Sequence, residues 1–267
     1  MTPLEALALV GASVAAGAIN TAAGGGSLIT FPTLVALGLA DRVANVTNTV
    51  GLVPGYLGGS LGYRSELAGQ GHRVRALAAD AVLGACIGVA ILLSTPSRAF
   101  KVVVPFLVAA ACVLLLVQPR LAASLKRRDE ANALNRADSA AQRGAAAPPV
   151  VPLRLHVLVL LGAIYGAYFG AALGVILLAV FGLLLDEDVQ RINALKGFIS
   201  LLINLVAAIG YAAFADVNWA AAGLVAVGSV VGGFGGASVA RRIPGPLLRR
   251  SVAVAGLVVA MVLLVRL

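Results

Sequence analysis

The amino-acid sequence predicts an all-α polytopic membrane protein made of two inverted repeats, each with a broken or hairpin first segment followed by three transmembrane helices. Three observations carry this. Hydrophobic residues make up 60% of the chain and charged ones 12%, with a mean hydropathy of +1.00, whereas soluble domains carry about 25% charged residues. Stretches with at most one charge, near or at the length that spans a bilayer, recur at 43–63, 102–117, 198–215, 217–240 and 252–265. Finally, one apolar segment in each half is interrupted by glycines and polar side chains. Broken helices in corresponding places of two halves point to a binding site near the bilayer midplane.

The elements follow in order. The first apolar segment, 4–19, follows Met1-Thr-Pro-Leu-Glu5, which lacks the basic region of a secretory signal and reads as the start of a membrane segment. Segment 20–38 opens on Asn20-Thr21 and the triple glycine 24–26, then Ser27 and Pro32. Segments 43–63, 74–94 and 100–118 read as plain spans. The stretch 119–154 is the only long polar one, with a basic cluster at 126–128 and Pro148-Pro149 near its end; it reads as a flexible connector with a short surface helix around 121–136. The second half repeats the order with 155–170, 171–185, 190–214, 217–240 and 247–266. The chain therefore divides into an N-terminal repeat 1–118, a linker 119–154 and a C-terminal repeat 155–267.

Charge placement chooses between two ways of crossing. If each broken segment were a single span, the two faces would hold 11 and 9 Lys/Arg, which is no bias. If 4–38 and 155–185 each fold as a hairpin returning to its own face, one face collects 16 basic residues and the other 4. The excess of Lys and Arg in cytoplasmic loops favours the hairpins. This puts the linker in the cytoplasm and both termini outside, with the two halves inserted upside down relative to each other. The net charge of +9 then reflects topology rather than nucleic-acid binding.

In hydrocarbon a helix breaks only against protein or a wet cavity, because every backbone N–H and C=O needs a partner. Asn20, Thr21, Gly24, Gly25, Gly26 and Ser27 supply such a break in the first half; Tyr168, Gly170 and Gly174 mark the second. A half-helix starting near Ser27 would turn its N-terminal N–H groups toward an anion; the alternative is that the glycines serve tight packing alone. Asn45, Asn48 and Thr49 share one helical face and read equally as an interhelical polar seam or as a second wall of the site. Their counterparts are Asn193, Lys196 and Asn204. Lys196 is the basic charge well inside an apolar run, a functional hypothesis set against snorkelling to the interface. Asp80 is a candidate to carry a proton, to pair with Lys196, or simply to end exposed. Glycines at 162, 166, 170 and 174, and at 228, 232 and 236, form small-residue ridges for helix packing. Trp219 reads as an interfacial anchor. Cys86 and Cys112 read as small buried hydrophobes, and His72 and His156 lack ligand-type neighbours in sequence. No phosphate-binding loop, metal cluster or nucleophile–base pair is recognisable, so neither a cofactor, a metal nor an enzyme activity is expected.

These residues together resemble the sulfite exporter TauE/SafE family of bacterial membrane permeases. The resemblance rests on residues 17–32 with the triple glycine, on 45–49, on 166–174, and on Ile192-Asn-Ala-Leu-Lys196 with Asn204, and covers nearly the whole chain outside the linker. It implies a secondary transporter of the bacterial plasma membrane, moving small sulfur-containing anions such as sulfite or organosulfonates outward by alternating access; a homodimer is a candidate assembly that the sequence leaves open. The family often has glycine where this chain has Ala171, so the second break is expected to be more helical than the first.

Overall fold

The computed structural model describes residues 1–22, 24–142, 151–239 and 245–265. Helix is the regular structure throughout the described residues, as a lipid environment demands. The first half contains α1 (Pro3–Ala22), α2 (Ser27–Ala36), α3 (Asp41–Gly62), the single turn α4 (Arg64–Leu67), α5 (Gly71–Ser94) and α6 (Ser97–Gln142). The second contains α7 (Leu153–Tyr168), α8 (Leu173–Leu184), α9 (Val189–Phe214), α10 (Trp219–Val239) and α11 (Gly245–Val265). Four stretches, Pro3–Thr21, Gly71–Ser94, Ser97–Gln118 and Val189–Phe214, are long and apolar enough to cross a bilayer, with shorter apolar helices between them. The chain is an all-α, multi-pass membrane protein.

Instead of a flexible connector with a separate helix over 121–136, α6 continues without interruption to Gln142. The reason lies in residues 120–142, which are rich in Ala, Leu, Arg, Lys and Glu, all strong helix formers. Cys112 is buried as expected, whereas Cys86 lies exposed on α5.

Helix directions follow from which residues touch. Gly228 meets Val10 and Ser13, Gly232 meets Val14 and Ala18, and the Thr21 hydroxyl reaches the Gly233 carbonyl at 3.4 Å, so α1 and α10 run side by side in the same direction. Asn218 N–H donates to Thr47 Oγ1 at 3.0 Å and Ser229 Oγ donates to the Gly51 carbonyl at 3.1 Å, aligning α3 with them. A second parallel set is formed by α5, α7 and α9: Asp80 pairs with His156 at 2.6 Å, Gly84 packs on Leu160 and Ala163, Gly88 on Ile164 and Ala167, and Gly210 on Val89. The close approaches between α5 and α7 are thus made by Gly84 and Gly88 of α5. Gly162, in the expected ridge on α7, has its nearest neighbour for an added Cβ at 3.7 Å.

Both interrupted segments are hairpins. Arg73 Nη1 donates to Glu187 Oε1 at 2.6 Å, so the residue following α8 lies at the same end of α5 as His156, at the start of α7. The α1–α2 hairpin opens at the other end: α1 begins where α10 begins, and α2 leads into the first turns of α3, beside Asn218. With 10 and 12 residues, α2 and α8 are only about 15 and 18 Å long, half a bilayer.

The packing is also interchangeable between halves. Exchanging α1 with α7, α2 with α8, α3 with α9, α5 with α10 and α6 with α11 converts each principal packing pair into another: α1–α10 into α7–α5, α10–α3 into α5–α9, α2–α3 into α8–α9, and α11–α2 into α6–α8. The helices α3 and α9, and α6 and α11, pack on their own counterparts.

The hairpin tips meet backbone to backbone at Gly24 and Gly174. A Cβ at Gly174 would lie 2.5 Å from the Gly24 Cα, and Gly24 has φ +89°, which disfavours any side chain. Substitution Gly174→Ala is expected to cost about 1–3 kcal/mol by forcing the tips apart, read as earlier thermal unfolding in detergent. Gly162→Ala, which meets only ordinary contacts, should leave the melting temperature unchanged or slightly raised.

Candidate binding cleft

The second break is as open as the first. Gly170 has φ +75° and Ala172 has φ +60°, a left-handed conformation costing a residue with a side chain about 1–2 kcal/mol. Ala171 therefore does not close the helix. Tyr165 OH donates to the Ala171 carbonyl at 2.7 Å, and the Ala172 carbonyl accepts Val175 N–H at 2.9 Å, so the turn is held from both sides. In the first break, Asn20 Oδ1 accepts the Gly26 N–H at 2.7 Å.

Beside the meeting tips lies a cleft with about 330 Å³ of empty space, part of it open to solvent. Asn20, Thr21 and Gly24 form its wall from α1 and the first break, and Gly174 closes it from the first turn of α8. Helix α9 contributes Asn193, Lys196, Gly197 and Ser200, and α3 contributes Tyr56, Gly59, Ser60 and Tyr63. Both sets recur at three- and four-residue spacing, which gathers each on one helical face.

The electrostatics of the cleft are unusual. Lys196 is only 2% exposed, and its Nζ has no hydrogen-bond partner among the described residues. The same holds for Asn193 Oδ1, Ser60 Oγ and Ser200 Oγ. Buried polar atoms almost always find partners, and an uncompensated buried charge is costly. Here four such atoms belong to one cleft, and together they offer a cation, two hydroxyls and an amide to a small polar or anionic body.

The remaining sequence-predicted residues lie elsewhere. The Thr30 hydroxyl donates to Asn48 Oδ1, Asn45 Nδ2 donates to the Tyr168 carbonyl at 3.0 Å, and Thr49 Oγ1 donates to the Asn45 carbonyl at 3.0 Å. These contacts form a polar seam joining α3 to both hairpins, and none of the three α3 side chains lines the cleft. The Tyr168 ring packs on Phe100 with centroids 5.8 Å apart. Asn204 Nδ2 donates to the Ser200 carbonyl at 2.8 Å, one turn back on its own helix. Gly25 faces Leu115, Gly26 donates to Asn20, Ser27 starts α2, and Gly170 serves the second turn. Asp80 does not pair with Lys196; it binds His156, which therefore has a partner that its sequence neighbours did not reveal.

Sequence reading missed Tyr56, Gly59, Ser60, Tyr63, Gly197 and Ser200. Their signal was present: they continue, at helical spacing, the polar faces already marked by 45–49 on α3 and by Asn193 and Lys196 on α9.

A wider depression at the opposite end is lined by Asp41, Arg42, Ser97, Lys101 and Asp216 among others. Its charges balance, and Arg42 is engaged with the carbonyls of Leu93 and Thr95 at 3.0 and 3.2 Å. It is a vestibule at the helix ends, not a built site. Among the described residues, no group of three or more His, Cys, Asp or Glu is positioned to hold a metal.

The model of the sulfite exporter TauE/SafE family matches residues 9–263. The chain belongs to this family. Neither the curated proteins nor the solved structures contain a match to it. As a TauE/SafE protein it is a membrane transporter, and the family description concerns a sulfur anion. The matched region contains the tips of both hairpins and every residue of the cleft.

Replacing Lys196 with Met removes a buried cation that has no protein partner while keeping much of its volume. Without added anion, Lys196→Met is expected to raise stability by about 1–4 kcal/mol. Asn48→Ala, which strands the Thr30 hydroxyl, should lower it by about 1–3 kcal/mol. Thermal unfolding in anion-free buffer checks both; a destabilised Lys196→Met would mean that Nζ has a protein partner.

Proposed function

We propose that this protein is a secondary transporter that exports small sulfur-containing anions, such as sulfite or organosulfonates, across the bacterial plasma membrane by alternating access. The observation carrying this reading is the convergence of Lys196 Nζ, Asn193 Oδ1, Ser60 Oγ and Ser200 Oγ, all without partners, on the cleft beside the junction of two broken hairpins. An oxyanion would satisfy three of them, since its oxygens accept from the ammonium and the two hydroxyls, whereas Asn193 Oδ1 is itself an acceptor and would pair with a donor such as a protonated or hydroxyl-bearing ligand group.

The two halves, 1–118 and 155–267, are inverted repeats in this reading, joined by a cytoplasmic linker 119–154 with both termini outside. Opposite hairpin entry, interchangeable packing and the 16-to-4 distribution of basic residues all support it. Alternating access is supported by an asymmetry. The cleft extends along α3 to Tyr63, near the end where Gln70 Nε2 donates to the Arg191 carbonyl at 2.9 Å. Toward the other end, the Thr30–Asn48 and Asn45–Tyr168 hydrogen bonds close the way. Transport is driven by the substrate gradient or by protons, for which Asp80, now with His156, is the candidate pair.

Reconstitution into proteoliposomes tests the assignment. Sulfite and ethanesulfonate flux should saturate with substrate, and Lys196→Ala should lower it about tenfold or more. Flux that rises without saturation would indicate a channel-like conductor. Absence of flux and of anion binding would indicate an assembly or sensory role, and unchanged flux in Lys196→Ala would remove the cleft as the route.

A further inference from the structure

We infer that the cleft selects for charge as well as chemistry: it accepts singly charged oxyanions, such as alkanesulfonates and hydrogen sulfite, and rejects dianions such as sulfate and fully ionised sulfite. This rests on the anion-site reading above and deepens it.

The argument is one of charge balance in a site withdrawn from water. Of the twelve residues lining the cleft, Lys196 alone is a Lys, Arg, His, Asp or Glu; the others are Asn, Thr, Ser, Tyr and Gly. Lys196 is 2% exposed and Asn20 6%, so an anion held at the ammonium gives up hydration on that side, while Thr21, Ser60, Tyr63, Asn193 and Gly197 are half-buried toward the open side. An anion of one charge then faces one ammonium. A dianion brings a second charge without a counter-charge, and an unpaired buried charge is strongly unfavourable.

Helix ends do not make up the difference. Each helix N-terminus carries roughly half a positive charge and each C-terminus roughly half a negative one. The first turn of α8 reaches the cleft through Gly174, but so do the last turns of α1 through Asn20 and Thr21, and of α3 through Tyr63 and Ser60. The positive end of α8 is thus opposed by two negative ends. At α2 the first donors are already engaged, Gly26 N–H with Asn20 Oδ1 and Leu28 N–H with the Gly25 carbonyl at 3.1 Å. Neutral donors from Ser60 and Ser200 orient an oxyanion but do not neutralise it.

Two described cations near the same end are committed elsewhere. Arg73 is paired with Glu187, and Arg191 Nε donates to the same carboxylate at 2.8 Å. Neither lines the cleft. Selection by charge would let a sulfonate pass while abundant sulfate is retained, although both present similar oxygen tripods.

The test is anion binding to the purified full-length protein in lipid nanodiscs, followed by thermal shift and by competition against ethanesulfonate. Methanesulfonate is permanently singly charged and sulfate permanently doubly charged near neutral pH. Methanesulfonate should stabilise and compete, while sulfate should be weaker by about tenfold or more. Sulfite should compete more strongly as pH falls and it takes up a proton, with methanesulfonate unchanged over the same range. Ser60→Arg, which adds a second cation at the partly exposed edge of the cleft, should let sulfate compete. Equal binding of sulfate and methanesulfonate by the native protein would overturn the charge rule while leaving the anion site intact. Binding of neither would overturn the site and the charge rule together.

Discussion

The contact on which the rest of this structure depends is backbone against backbone at Gly24 and Gly174. A chain that stops being helical in hydrocarbon leaves N–H and C=O groups that lipid cannot satisfy. Here two such interruptions are buried against each other, entering from opposite ends of the bundle. Side chains at either glycine would keep the tips apart. Once the tips meet, α2 and α8 need be only half a membrane long, and the space beside them brings together irregular backbone, polar side chains and a buried lysine. The positions of α3 and α9, which pack on each other across this junction, follow from the same contact.

Small residues govern the remaining architecture for a related reason. Association within a bilayer gains little from the hydrophobic effect, since lipid tails are as apolar as leucine; close packing must supply the energy. Gly228 and Gly232 let α10 lie against α1, and Gly84 and Gly88 let α5 lie against α7. In each pair the first helix of one half packs against a helix of the other. The halves are thus interleaved: α1 and α7 lie against helices of the opposite half, while α2 and α8 pack on α3 and α9 of their own as well as on α11 and α6.

Two kinds of buried polar group are separated in this molecule. Those of the seam between α3 and the hairpins are mostly satisfied: Asn48 by Thr30, Asn45 Nδ2 by the Tyr168 carbonyl and Thr49 by the Asn45 carbonyl, with Asn45 Oδ1 the exception. Those of the cleft, Lys196, Asn193, Ser60 and Ser200, retain unsatisfied atoms. The satisfied groups hold helices together, and the cleft gathers four of the unsatisfied ones. Composition alone does not distinguish them, because asparagines and hydroxyls occur in both places at the same helical spacings.

Much was legible in the sequence by itself. Hydropathy located the membrane segments, since lipid admits only long apolar helices, and each segment expected over 4–38 and 155–266 has its helix. The glycine clusters marked both breaks, because left-handed backbone and close approach need residues without side chains. Lys196 was recognisable as a cation in an apolar run, and the motif order carried the TauE/SafE resemblance that the family model bears out. Other features required the tertiary structure. Whether Asn45 and Asn48 meet the cleft or a neighbouring element depends on what packs against α3 at their level, and there both hairpins cover them. Asp80 and His156 are 76 residues apart, and their pairing depends on α5 and α7 lying parallel. Ala172 adopts the left-handed turn despite its side chain because Tyr165 and the start of α8 hold the loop there. Periodicity and composition describe one helix at a time, whereas the fate of a buried polar atom is decided by whichever other helix comes to face it.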